Sequence, residues 1–132
     1  MTHLLDTNVF IAAMRGNAEV WSRFHAHDPT DIAISCVSLY ELYSGIERCQ
    51  KPLVERQKVT SLIGPLHVLP FDATAAVMTA KIRRQLEVGG SIIGPYDLML
   101  AGQALSLGVT FVTHNTAEFS RVQGLILEDW QQ

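Results

Sequence analysis

The sequence predicts an α/β domain, a central, mainly parallel sheet flanked by helices, and three observations lead there. Short apolar runs of strand length alternate along the chain with longer stretches whose apolar residues recur at helical spacing. Gly or Pro stands at most of the junctions, as at Gly16, Pro29, Pro52, Gly64-Pro65, Gly89-Gly90 and Gly108. The chain has 132 residues, 48% hydrophobic and 17% charged, which suits one domain, residues 1–132, and is too apolar for a disordered segment.

The elements follow in order. His3 to Leu5 reads as a buried strand, and Thr7 to about Arg15 as a helix stopped by Gly16. Ala18 to His27 is a second helix, with Val20, Trp21 and Phe24 on one face, ended by Asp28-Pro29. Asp31 to Ser35 reads as strand two. Ser38 with Glu41 three residues later makes the S-x-x-E capping pattern, which predicts a helix start there and puts Glu41 in the first turn. Pro52 opens a further helix that closes at Gly64-Pro65, and Leu66 to Phe71 reads as strand three. Asp72 caps a helix from Ala73 to about Glu87. A loop then feeds a helix from about Pro95 to Leu107, with Gly108 just past its end. Val109 to Thr113 reads as strand four, Ala117 to Phe119 as a single turn, and Leu125 to Trp130 as a last strand.

Composition narrows the function classes. The net charge of −3 argues against a surface that coats nucleic acid, though not against a local site whose charge is reversed by cations. No apolar run approaches the ~20 residues of a membrane span, and the first residues do not form a basic stretch followed by an apolar one, so a cytoplasmic protein without a membrane partner is expected. Cys36 and Cys49 are too few for a disulfide framework and read as buried or idle thiols. The five histidines form no zinc-ligand spacing and read as surface or packing residues. The phosphate-loop, dinucleotide and serine-hydrolase motifs are absent. Lys81, Arg83 and Arg84 read as a solvated helix face that could also line an approach for a phosphate backbone.

Four acids stand where a parallel sheet gathers its reactive groups, beyond the carboxyl ends of strands and at helix starts: Asp6, Glu41, Asp97 and Glu118. Each has an ordinary reading. Asp6 serves as a helix cap, Glu41 as the partner of Ser38 in a capping box, Asp97 as a first-turn acid favoured by the helix dipole, and Glu118 as a solvated side chain. Brought together, the four would repel one another and require a hard divalent cation, Mg2+ or Mn2+, whose oxygen-rich shell leaves room for phosphate oxygens.

Four blocks, in order, carry a resemblance: "LLDTNVFI", "SLYELYSGIE", "IGPYDLMLAGQALSLG" and "FVTHNTAEFSRVQGLILEDW". Together they are similar to the signature blocks of the PIN-domain ribonucleases, in particular the VapC-type toxins of bacterial toxin–antitoxin pairs. The resemblance implies a PIN-like fold and metal-dependent endoribonuclease activity, with structured RNAs such as tRNA among the targets. It implies Asp6 and Asp97 as metal ligands and Glu41 and Glu118 as the acids that complete the catalytic pocket, with Mg2+ or Mn2+ as cofactor. Thr7 and Thr113 match positions whose hydroxyls lie near that pocket. Asn115 stands where many relatives carry an aspartate, so the fourth acid is Glu118 or the site has three. A VapB-type antitoxin and a second copy of the chain are the implied partners, the antitoxin's tail reaching the carboxylates with an arginine. Two other readings stand beside this one: a phosphoryl-transfer enzyme of the haloacid dehalogenase type, which Asn8 disfavours because a second aspartate is usual there, and a catalytically inactive PIN-like module that binds RNA or protein.

Overall fold

The computed structural model describes residues 1–132. Five strands, β1 (His3–Leu5), β2 (Ile32–Ser35), β3 (His67–Leu69), β4 (Thr110–Val112) and β5 (Leu127–Glu128), form one sheet in the order β3-β2-β1-β4-β5. Every pairing is parallel, so the sheet is wholly rather than mainly parallel. Seven helices connect the strands: α1 (Thr7–Met14), α2 (Ala18–Ala26), α3 (Cys36–Glu47), α4 (Pro52–Ile63), α5 (Ala73–Gly89), α6 (Pro95–Leu107) and α7 (Thr116–Phe119). None is long and apolar enough to cross a membrane.

Period-two alternation divides the core between the two faces of the sheet. Leu4, Ala33 and Phe111 pack with Ile82 and Leu86 of α5 and Leu98, Leu100 and Ala101 of α6. Leu5, Ile32, Ile34 and Val112 face the other way, onto Val9 and Phe10 of α1, Val20 and Phe24 of α2, and Trp130. The strands are shorter than the apolar runs that announce them, most of all the edge strands β3 and β5. Both cysteines are free and lie outside the core, Cys36 exposed and Cys49 half-buried, so of the buried or idle thiols expected neither is a buried one.

One start signal moves. α3 begins three residues earlier than the Ser38–Glu41 pair suggests, directly off β2, and Ser35 caps it by accepting a hydrogen bond from the Val37 N–H at 3.0 Å. No capping box forms. Ser38 becomes the third residue of the helix and Glu41 the sixth, one turn deeper, on the face that meets α1. Elsewhere the punctuation acts as read: Asp72 caps α5 through the Ala75 N–H at 2.9 Å, and Gly90 and Gly108 end α5 and α6 with φ of 70° and 68°.

α5 and α6 pack closely at Gly102. A Cβ placed there would lie 2.0 Å from Thr79 Oγ1 and 2.9 Å from Thr79 Cα. The hydroxyl could rotate away, but the backbone could not without parting the helices. Gly102→Ala is expected to lower unfolding free energy by about 1–3 kcal/mol in urea denaturation, although alanine is the better helix former by about 1 kcal/mol. Thr79→Ala should restore little of it, since the clash with the α5 backbone remains.

Candidate active site

The strand order creates the position for a site. From β1 the chain steps outward to β2 and β3, then returns to β4 on β1's other side, so the connections diverge at the carboxyl ends of β1 and β4. Asp6 is the residue after β1. Thr113 follows β4, and the single turn α7 holds Glu118 nearby. α3 leaves β2 with Glu41, and α6 opens with Pro95, Tyr96 and Asp97.

These four acids, separate in the chain, sense each other's charge. Asp6, only 4% exposed, has its carboxyl pushed up from the usual aspartate range first by burial, and further by Glu41 and Glu118, while the Thr113 hydroxyl and the Thr7 N–H oppose the shift. Asp97, half-buried, is pushed up to about 6, first by burial and then by the charges of Asp6, Glu118 and Glu41. No lysine, arginine or histidine forms an ion pair with any of the four. Buried crowding of like charge without a basic partner is costly for the protein alone.

Neutral hydrogen-bond donors hold three of the acids in place. Ser38, fully buried, donates to Thr7 Oγ1 at 2.8 Å, and Thr7 spends its one proton on Glu41 Oε1 at 2.7 Å. The Asn115 backbone N–H donates to Thr113 Oγ1 at 3.0 Å, and Thr113 donates to Asp6 Oδ2 at 2.9 Å. Asn115 also donates its side-chain amide to Glu118 Oε2 at 2.6 Å. Asp6 stands at the N-cap position of α1, yet its side chain caps none of the helix's N2 or N3 N–H groups; Thr113 holds it instead. Asp97 alone has no hydrogen-bonded partner.

The structure thus brings together Asp6, Glu41, Asp97 and Glu118, with Thr7 and Thr113 in contact with them and Asn115 orienting the fourth acid rather than replacing it. Two features escape sequence reasoning. Ser38 has the pattern of a cap but serves the site, and the signal that could have shown this is Ser35, a second cap residue one step before the helix. Tyr40 and Tyr96 stack edge to face at 5.5 Å with their hydroxyls 3.2 Å apart, each exposed and each adjacent in sequence to an acid of the cluster.

Comparison with known proteins fits this arrangement. The PIN domain family model matches residues 3–125. The chain belongs to the PIN-domain family. Within that family its relatives are VapC proteins: it is 41% identical over 128 residues to the tRNA(fMet)-specific endonuclease VapC of Shigella flexneri, covering 96% of both chains. It is 33% identical over 135 residues to ribonuclease VapC2 of Rickettsia felis, covering both chains completely. The DNA-bound VapBC structure from Salmonella typhimurium superimposes with a TM-score of 0.94 at 37% identity, covering 98% of each chain. This PIN domain is therefore a VapC-type chain, and PIN nucleases in general use divalent metal.

The donor set suits that chemistry: four carboxylates with unbonded oxygens, no basic neighbour, and no soft ligand among them. For Asp97 the sign of the pH dependence follows directly. Its folded value of about 6 lies above its ordinary value of 3.8, so ionised Asp97 destabilises the metal-free fold at neutral pH, and the cost fades as pH falls through about 6 toward 3.8. Thermal melts in EDTA should show Asp97→Asn melting above wild type at pH 7.5, with the margin shrinking at pH 5. Equal melting at both pH values would show that Asp97 stands outside the field of the other acids.

Proposed function

We propose that this chain is the toxin of a type II toxin–antitoxin pair, an endoribonuclease that hydrolyses RNA phosphodiester bonds at the Asp6–Glu41–Asp97–Glu118 cluster with Mg2+, or Mn2+ in its place. The observation that carries this reading is the convergence of four mutually repelling carboxylates, without a basic partner, at the divergence point of the sheet. Its VapC relatives named as tRNA endonuclease and ribonuclease support it. Structured RNA, tRNA included, is the proposed substrate class. The active unit is read as residues 1–132, since Trp130, beyond the family match, is fully buried in the core.

Asp6 and Asp97 would hold the cation. When bound, it supplies positive charge to the phosphate oxygens and makes a water acidic enough to attack at neutral pH. Thr113 orients Asp6 and opposes the effect of its burial, since a donated hydrogen bond favours the charged carboxylate. Thr7 and Asn115 each occupy one oxygen of Glu41 and Glu118, leaving the second oxygen of each available to a further cation or to orient the attacking water. The exposed Tyr40–Tyr96 pair offers aromatic faces for an unpaired base beside the scissile phosphate.

The partner fits the same geometry. A groove of about 800 Å³ runs from Glu41 between α1, α3 and α4, with Ile11, Met14, Leu42 and Ile46 along it. An apolar antitoxin tail ending in a cation would fill the groove and neutralise the acids together. The VapBC complexes among its structural relatives support a VapB-type antitoxin as that partner; a homodimer of the toxin is part of the same proposal.

Purified protein free of antitoxin should cut a small-RNA preparation into discrete fragments with Mg2+ and not with EDTA. Asp6→Asn and Asp97→Ala should abolish cutting while preserving the circular dichroism of the fold. Thr113→Val, which removes only the donor to Asp6, should lose about 10–100-fold. Undiminished cutting by Asp97→Ala at limiting Mg2+ would refute the site; no cutting by wild type with any divalent cation, across total RNA including tRNA, would favour a module that binds without cleaving.

A further inference from the structure

A second group of metal-ligating side chains lies on the α1–α2 side of the sheet. His3 at the start of β1, His27 just after α2 and Glu128 in β5 each offer one ligating atom, and these atoms lie within 4.8 Å of one another. Nothing in the spacing of His3 and His27 foretells that the sheet sets β5 within reach of β1 and the end of α2.

The hydrogen bonds around the cluster decide where its lone pairs are. His27 Nδ1 lies 2.8 Å from the Arg23 carbonyl, which can only accept, so Nδ1 carries the proton and Nε2 the lone pair. Thr2 Oγ1 lies 2.6 Å from His3 Nδ1 and 3.4 Å from the Asp31 carbonyl; in the tautomer that gives Thr2's proton to that carbonyl, His3 Nδ1 donates to Thr2. His3 Nε2 is then left facing Glu128 Oε2 at 3.5 Å, too long for a charge-assisted hydrogen bond. The other Glu128 oxygen is anchored by Trp130 Nε1 at 2.7 Å, with Arg23 3.5 Å away. The Trp130 ring stacks on His27 at 5.1 Å and fixes that imidazole in turn.

Two imidazoles preset as Nε2 donors and an anchored carboxylate, each braced from outside the cluster, form the arrangement by which proteins hold borderline transition metals. We propose that His3, His27 and Glu128 bind one divalent transition-metal ion of the Zn2+ class, with a fourth position open to water. Zinc ligand distances of about 2.0–2.2 Å place three donors roughly 3.3 Å apart. The ligating atoms, which lie within 4.8 Å of one another, must therefore draw in by up to about 1.5 Å, through the side-chain torsions of three half-buried residues. The ion would pin α2 and β5 to the first strand, away from the carboxylate cluster. Because this site has nitrogen ligands and the cluster has none, the two sort metals by softness.

The test is titration with Co2+ in excess Mg2+, followed by its visible absorption and by calorimetry, on wild type and on an Asp6→Asn/Asp97→Asn variant. One Co2+ should bind to both, with the spectrum of nitrogen and oxygen ligands. His27→Gln and Glu128→Gln should each weaken it by more than about 100-fold, exceeding what loss of a supporting group costs. His67→Gln, on the far edge strand, should change nothing. Binding that survives His27→Gln and Glu128→Gln, that vanishes in the Asp6/Asp97 variant, or that shows thiolate charge transfer removed by Cys36→Ser would overturn the assignment, as would no binding at all.

Discussion

Mutual repulsion among four carboxylates is the constraint around which the rest of this structure is arranged. Two of them are pushed upward first by burial and then by neighbouring acids, Asp6 by Glu41 and Glu118 and Asp97 by Asp6, Glu118 and Glu41, and no basic side chain offsets the charge. A globular protein would normally disperse such groups, since each buried charge without a counter-charge costs several kcal/mol. Their retention makes sense if the fold is completed by a cation in use and by a cationic partner at rest.

The fold meets this constraint with neutral donors rather than counter-charges. Two hydroxyl relays, Ser38 to Thr7 to Glu41 and the Asn115 N–H to Thr113 to Asp6, start from a fully buried hydroxyl and a backbone amide and end on a carboxylate. Hydroxyls orient an acid and favour its ionised form without cancelling the charge that must attract a metal. An arginine at the same place would stabilise the empty site and compete with the cation. Asn115 acts likewise on Glu118, and an aspartate there would add a fifth like charge where the amide adds a donor.

Much of this is legible in the sequence because it depends on chain-local chemistry. The α/β class follows from strand-length runs between helical periods, and the caps at Asp72, Gly90 and Gly108 act at their expected places because a turn's requirement is set within a few residues. The acids stand out by their positions after strands and by the resemblance of their blocks. What escapes depends on contacts across the sheet. The start of α3 is ambiguous because Ser38 and Ser35 are equivalent as local caps, and only the direct exit of β2 into the helix chooses between them. Asp6 looks like a cap until β4 brings Thr113 to it across 107 residues. His3, His27 and Glu128 carry no motif, because their meeting is a product of strand order.

Direct observation of the carboxyl groups tests the central claim most sharply: a 13C NMR titration of the side-chain carboxyls of metal-free protein, repeated with saturating Mg2+. Asp97 should titrate near 6 in the metal-free protein and fall to or below the ordinary aspartate value once Mg2+ is bound, with Asp6 moving in the same direction. An Asp97 that titrates in the ordinary range and ignores Mg2+ would contradict a coupled, cation-requiring cluster.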